Sequence, residues 1–241
     1  VCGPTGSGKT TTLYSILKYV DSPEKNIITV EDPVEFQLEG INQVTVRSDI
    51  GLSYAAALRS ILRQDPDIIM VGEIRDFETI DVAIKAALTG HLVLSTLHTT
   101  TACGAIIRLL NMGVEPFQIT SAVNLVCSQR LLRKLCNACK KPYTVDAKQA
   151  ERLGILSKSE KKEFYKPGGC SQCLGTGYGG RMGVLESLYL TPRIRELILG
   201  NVRETQLLEE ARKEGMVTLR EDALMKAEAG TTSLEEVIRA T

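Results

Sequence analysis

Several absences narrow what this chain can do. Formal net charge is +0 over 241 residues, with 29 Lys and Arg against 29 Asp and Glu. A chain without positive excess offers no electrostatic case for binding nucleic acid. Aromatic residues make up only 5%, which speaks against a base-stacking channel. No apolar run approaches the roughly 20 residues of a membrane span, and no signal peptide is visible. Only two histidines are present, His91 and His98. Cysteines are odd in number, seven, with four of them in CxxC pairs. That pattern favours metal over disulfides and, with it, a reducing compartment. What remains is globular in composition, 43% hydrophobic and 24% charged. It is long enough for one large or two small domains with a real core.

The chain opens with VCGPTGSGKTTTLYSIL. Gly3, Gly8, Lys9 and Thr10 complete the pattern GxxxxGK[ST]. Glycines let the backbone curl so that successive N–H groups face one point, and the helix that follows adds its N-terminus. The predicted nucleotide loop is Gly3, Pro4, Thr5, Gly6, Ser7, Gly8, Lys9, Thr10 and Thr11. Lys9 would reach the β- and γ-phosphates, and the Thr10 hydroxyl would ligate Mg²⁺. The pattern also calls for a strand before the loop, and only Val1 and Cys2 are there to supply it. The expectation is a piece of a longer chain, cut within a buried strand.

Apolar strands and amphipathic helices alternate after the loop, which reads as an α/β domain with a largely parallel sheet. NIITVE, DIIMVGE and HLVLSTLH are strand runs, and INQVTVR is a possible edge hairpin. SYAAALRSILRQ starts a helix at Ser53, and FETIDVAIKAALTG is a helix stopped by Gly90. The pattern breaks near Cys136, where the chain becomes rich in Gly, Lys and Cys. Four short helices close the sequence, with Thr191–Pro192 and a Ser233/Glu236 capping box as start signals. The predicted domains are 1–128, a truncated ATPase core; 129–184, a tetracysteine module; and 185–241, a C-terminal helical subdomain.

Phosphate hydrolysis needs a carboxylate for Mg²⁺ and a group that orients water. Ligands sit outside the carboxyl ends of parallel strands. IITVEDPVE delivers Glu31, Asp32 and Glu35 to such a place, and DIIMVGEIRD delivers Glu73, Arg75 and Asp76. His91 and His98 bracket one strand and, an odd number of residues apart, would point to opposite faces. His98 stands at the strand's C-terminal end and is favoured as a γ-phosphate sensor, His91 less so.

Cys136 and Cys139 form one CxxC pair, and Cys170 and Cys173 another, with thirty residues between them. Structural zinc is favoured, because each CxxC turn is local and the spacer only loops out. Reduced free thiols are the alternative, and two disulfides are disfavoured. Arg133, Lys134, Lys140 and Lys141 could offset the charge of four thiolates or face a partner or acidic lipid. Cys127, in an apolar run, reads as core.

GPTGSGKTTTL, TVEDPVE, LRQDPDIIMVGEIRD and GHLVLSTLHTT, in this order, resemble the Walker A, Asp box, Walker B and His box of the type II secretion and type IV pilus assembly ATPases. The resemblance extends to the final residues. It implies a RecA-like P-loop NTPase fold and a homo-hexameric motor. It implies that Glu35 polarises the attacking water, that Glu73 holds Mg²⁺ through water, and that His98 contacts the γ-phosphate. Glu31 and Asp32 become secondary. Zinc, in this reading, is structural and marks the assembly branch, since the retraction and conjugation motors lack the tetracysteine module. Catalytic arginines come, in this family, largely from a preceding domain, so this chain by itself is expected to hydrolyse ATP weakly. The implied setting is cytoplasmic, peripheral to a bacterial inner membrane through a platform protein. Competing readings are a RecA-like ATPase of DNA uptake or conjugation, and a non-catalytic ATP-binding scaffold.

Overall fold

A computed structural model describes residues 1–146, 161–200 and 202–241. The chain forms two compact units: Val1–Ser128 with Ser187–Met216, and Gln129–Glu186 with Val217–Thr241. The first segment of the first unit ends at Ser128. The expected helical subdomain 185–241 does not form a unit of its own. Its first two helices bury Ile194, Ile198, Leu207 and Ala211 in the core of the first unit. Its last two bury Ala223, Leu224, Leu234 and Val237 with the strands of the cysteine module.

The first unit is built on a four-stranded sheet of β1 (Ile27–Glu31), β2 (Asn42–Thr45), β3 (Ile68–Val71) and β4 (Leu92–Ser95), in the order β2-β1-β3-β4. All three pairings are parallel. INQVTVR is therefore not a hairpin: its strand pairs parallel with β1, and the segment that joins the two contains no helix. Cys2 adds a bridge parallel to Leu97, beyond β4, and another to Ser128. β1 and β3 are buried at every residue, which is why they read as continuous apolar runs rather than alternating ones. Ile27, Ile68 and Met70 join Leu13, Tyr14 and Leu17 of helix α1 (Lys9–Val20) in one cluster. Ile28, Val30, Ile69 and Val71 enter a second cluster with Leu58, Ile80 and Ile106. The period of two sorts the strand's side chains between these layers.

Helices α2 (Tyr54–Ile61), α3 (Phe77–Leu88), α4 (Ala102–Asn111) and α5 (Pro116–Ala122) complete the sequence of crossovers. Ser53 accepts the Ala56 N–H at 3.2 Å, so α2 starts where its cap predicts. Gly90, at φ +103, follows the last turn of α3 in the left-handed conformation that ends helices. Helix α5, in PFQITSA, is an element that sequence reading passed over: at seven residues it is too short to show a period.

Strands β5 (Leu125–Leu135) and β8 (Tyr178–Tyr189) pair with each other, as do β6 (Lys141–Asp146) and β7 (Lys161–Lys166), the latter antiparallel. These long strands flank the cysteine region. Helices α6 (Pro192–Leu199), α7 (Glu204–Lys213), α8 (Leu219–Glu228) and α9 (Leu234–Ala240) follow. Thr191 caps α6 through the Ile194 N–H at 3.2 Å. Ser233 caps α9 through the Glu236 N–H at 3.3 Å, but Glu236 does not return the bond as a capping box would. Its carboxylate accepts from both Arg133 and Arg239 instead.

Candidate functional site

Residues 3–8 curl into the N-terminus of α1. Gly6 and Gly8 take φ +77 and +87, where a side chain would be strained. A Cβ at Gly6 would meet nothing within 4 Å, so its glycine is required by backbone shape and not by crowding. Gly8 is the N-cap and supplies no side-chain acceptor, so no capping group occludes the helix's first N–H groups. Lys9 is buried and folds back, its ammonium donating to the carbonyls of Gly3 at 2.9 Å and Pro4 at 3.1 Å. A tight left-handed loop, an uncapped helix start and a lysine within it fit a polyphosphate and its counter-cation.

The acids predicted at the strand ends separate into different environments. Glu73 follows β3 and is 9% exposed. One carboxylate oxygen pairs with Arg75, and the other lies 3.1 Å from His98 Nε2. His98 is set beside the loop because the Gly3 N–H donates to the Leu97 carbonyl at 3.2 Å. Glu31, by contrast, is 2% exposed beneath α1. It accepts from the Tyr14 hydroxyl, from Thr29 Oγ1 at 2.5 Å and from Gln43 Nε2 at 3.1 Å. Such a carboxylate is committed to the fold. Asp32 and Glu35 are exposed, and the Asp32–Pro33 peptide is cis. His91 lies before β4, at the opposite end of the strand from His98. Its Nδ1 is 2.9 Å from the Ala86 carbonyl, so it closes the end of α3. Arg59 pairs with Glu78 on an exposed surface at 2.8 Å.

The four cysteines of the two CxxC pairs converge. Their sulfurs all lie within 4.8 Å of one another, with Cys136–Cys170 at 3.9 Å, Cys139–Cys173 at 3.8 Å and Cys170–Cys173 at 3.7 Å. A tetrahedron of sulfurs about 2.3 Å from a central ion has edges of about 3.8 Å, whereas a disulfide would bring its sulfurs to about 2.05 Å. The observed spacing fits a metal. Backbone N–H groups aim at the sulfurs, Gly169 at Cys139 at 3.2 Å and Gly177 at Cys173 at 3.1 Å. Burial pushes the Cys173 thiol up, but the N–H groups of Cys170 and Gly177 outweigh it and bring the thiol down to about 6. Burial pushes Cys139 up to about 11. Two of the nearby cations have other duties. Arg133 pairs with Glu236 at 2.7 Å and stacks 4.1 Å over Tyr178. Lys140 donates to the Gly230 carbonyl at 2.9 Å and lies over Tyr165.

The family described as Type II/IV secretion system protein matches residues 1–239. The chain belongs to that family. It is 52% identical over 240 residues to the type IV pilus assembly ATPase PilB of Myxococcus xanthus, covering 99% of this chain and 42% of that one. It is 50% identical over 241 residues to the type II secretion system ATPase E of Vibrio cholerae, covering 100% of this chain and 48% of that one. The chain thus spans less than half the length of these two relatives. Among solved structures it resembles the pilus retraction motor PilT with bound ADP, with a TM-score of 0.74 and 32% identity over 100% of this chain and 60% of that one. It also resembles the ATPase DotB of Legionella pneumophila, with a TM-score of 0.68 and 25% identity over 99% of this chain and 58% of that one.

Within this secretion-family fold, two tyrosines near the strand ends escaped sequence reading. Tyr14 appears in the sequence only as part of the apolar stripe of α1. Thr29 and Glu31, two polar residues on one face of a buried strand, were the signal that a hydroxyl partner had to lie opposite. Tyr54, the first residue of α2, brings its hydroxyl to 3.2 Å from where a Cβ on Gly72 would sit. Burial, reinforced by the charges of Glu73 and Asp32, raises the Tyr54 phenol above its ordinary range. Cys127, expected in the core, is half-buried with its sulfur 3.5 Å from Ser187 Oγ.

Proposed function

We propose that this chain is the nucleotide-hydrolysing part of a hexameric motor that drives type II secretion pseudopilus or type IV pilus assembly. The observation that carries this reading is the meeting of Glu73 and His98, at 3.1 Å, beside a glycine loop that starts a helix. In it, residues 3–11 hold the phosphates of ATP, with Lys9 exchanging two backbone carbonyls for phosphate oxygens. Thr10 and Glu73 are the residues that would hold Mg²⁺, an ion that supplies charge neutralisation on the phosphates when bound. Holding the ion would compete with the contact of Glu73 to Arg75, whose guanidinium is exposed. Glu35 orients the attacking water, and His98 contacts the γ-phosphate side of the site.

Cys136, Cys139, Cys170 and Cys173 would hold a structural Zn²⁺, since four thiolates leave no open position for catalysis. In this reading the chain works as a homo-hexamer on an inner-membrane platform protein from the cytoplasmic side; its likeness to proteins named as pilus assembly and secretion ATPases supports the assignment to such a machine. No helix among the described residues is long and apolar enough to cross a membrane. A nucleic-acid substrate is not part of this reading, in keeping with a formal net charge of +0.

The test is steady-state ATPase activity of the full-length parent protein. Lys9→Ala is expected to lower turnover and nucleotide affinity by about 100-fold or more while zinc content stays constant. Unchanged turnover in that variant would sink the proposal.

A further inference from the structure

The helix that begins at the glycine loop and the segment that carries Glu35 meet at one side chain. Tyr14 lies on the buried face of α1, 2% exposed. Its hydroxyl donates to Glu31 and accepts the backbone N–H of Glu35 at 3.3 Å. Its ring meets that of Phe36 edge-on, with centroids 4.7 Å apart and planes at 78°. Gln43 of β2 completes the attachment. Its Nε2 reaches the Phe36 carbonyl at 3.2 Å and Tyr14 Oη at 3.3 Å, and its Oε1 accepts the Leu38 N–H at 2.7 Å. An otherwise exposed loop is therefore tied down at three backbone positions, 35, 36 and 38. Glu31 orients the phenol so that its lone pairs face Gln43 and the Glu35 N–H.

We infer that Tyr14 is a positioning residue for Glu35, coupling the phosphate-holding helix to the group that orients the attacking water. Tyr14 sits five residues beyond Lys9 on the same rigid helix. A displacement of the loop on filling with phosphate is carried to the phenol, and from there to the backbone of Glu35. Glu31 is the anchor of this device and does not touch the reacting atoms. The phenol remains a donor throughout the working pH range, because burial and the Glu31 carboxylate push it up to about 12. A tyrosinate could not donate to Glu31 and would repel it.

This inference rests on the assignment of Glu35 to the attacking water, and the test separates the two. In the full-length parent, Tyr14→Phe keeps the ring and removes the hydroxyl. Turnover is expected to fall about 10- to 100-fold, the loss typical of a displaced catalytic group. KM for ATP and affinity for a non-hydrolysable analogue should stay within about twofold. Added to Glu35→Gln, the same change should have no further effect, since it acts through that carboxylate. Phe36→Ala, at a half-exposed ring whose loss does not threaten folding, should lower turnover about threefold with KM unchanged.

If Glu35→Gln is inactive while Tyr14→Phe and Phe36→Ala both turn over at the wild-type rate, the coupling is wrong and the role of Glu35 stands. If Glu35→Gln turns over normally, the role of Glu35 is wrong and the coupling falls with it. Loss of nucleotide affinity in step with turnover in both Tyr14→Phe and Phe36→Ala would reduce Tyr14 to a merely structural residue and also overturn the inference.

Discussion

The glycine-loop site and the cysteine site hold their charged groups in opposite ways. At the cysteine site the four sulfurs already stand at the edge lengths of a metal tetrahedron, with backbone N–H groups aimed at them. At the glycine loop the charged groups already have partners: Lys9 two carbonyls, Glu73 Arg75 and His98. Asp32 and Glu35 are exposed. A structural centre gains from a closed ligand set whose geometry does not change. A site that hydrolyses a nucleotide, as proposed for the glycine loop, must exchange partners in every cycle, and the resting contacts there are ones that a phosphate or cation can replace. Two glycines differ in the same sense. Gly168 has no room at all for a side chain, while Gly6 has open space around it.

The largest effect should come from filling that crowded position. A Cβ on Gly168 would lie 2.0 Å from the Cys139 carbonyl oxygen, a contact that only backbone displacement relieves. Structural zinc sites of this kind carry on the order of 10 kcal/mol of folding free energy. With the proposed zinc at the four cysteines, Gly168→Ala should therefore lose bound metal, read by elemental analysis, and lower the melting temperature, with nucleotide affinity measured alongside. Zinc retained at one per chain would mean that the knuckle is not rigid, and the contrast with the glycine loop would fail.

Next in size is an ionic contact within the second unit that is as closed as the cysteine site. Glu236 is fully buried. Burial alone would raise its carboxyl, but hydrogen bonds from Arg239 and Arg133 hold it down to about 2. A carboxyl depressed in the folded state contributes stability that is fully present above its ordinary value of 4.5 and is lost as pH falls toward 2. The shift corresponds to about 3 kcal/mol. Glu236→Gln should lower unfolding free energy by about 2–3 kcal/mol at neutral pH, the gap closing in acid. A gap independent of pH would mean that packing, and not the charge, carries the effect.

A smaller effect is expected at Gly72, between β3 and Glu73. A Cβ there would meet the Val30 carbonyl at 3.1 Å, the Tyr54 hydroxyl at 3.2 Å and Glu31 Cα at 3.3 Å. Gly72→Ala should be destabilising by about 1–3 kcal/mol and should lower turnover in the full-length protein by shifting Glu73. Wild-type turnover would show that the end of β3 tolerates more movement than its packing suggests. The smallest effect is expected at His91, whose contact closes the end of α3. His91→Ala should leave turnover unchanged and alter stability by about 0.5 kcal/mol. A turnover loss comparable to that of His98→Ala would bring His91 back to the site.

Much of the first unit was legible because its signals are local. The glycine loop, the Ser53 and Thr191 caps, the stop at Gly90 and the buried runs of β1 and β3 each follow from neighbours a few residues apart. Less legible was anything set by a partner far along the chain. Glu31, Asp32 and Glu35 look alike as acids within five residues, yet one is buried against Tyr14 and two are exposed. Helices α6 to α9 look alike as a string of short amphipathic segments, yet the first two and the last two enter different cores. Ser233 and Glu236 have the spacing of a capping box, and Arg133, a hundred residues away, takes the carboxylate.

By itself the sequence determined the parallel α/β frame, the curl at residues 3–8 and the two cysteine turns. These depend on backbone conformation and periodicity, which are properties of short stretches. Only the tertiary structure decided which carboxylates serve the fold and which stay available. It also decided that His98 faces Glu73 while His91 closes a helix, and that the four sulfurs stand at metal spacing. Those outcomes depend on burial and on contacts between distant segments, and they are not defined until the sheet and the long strands are in place.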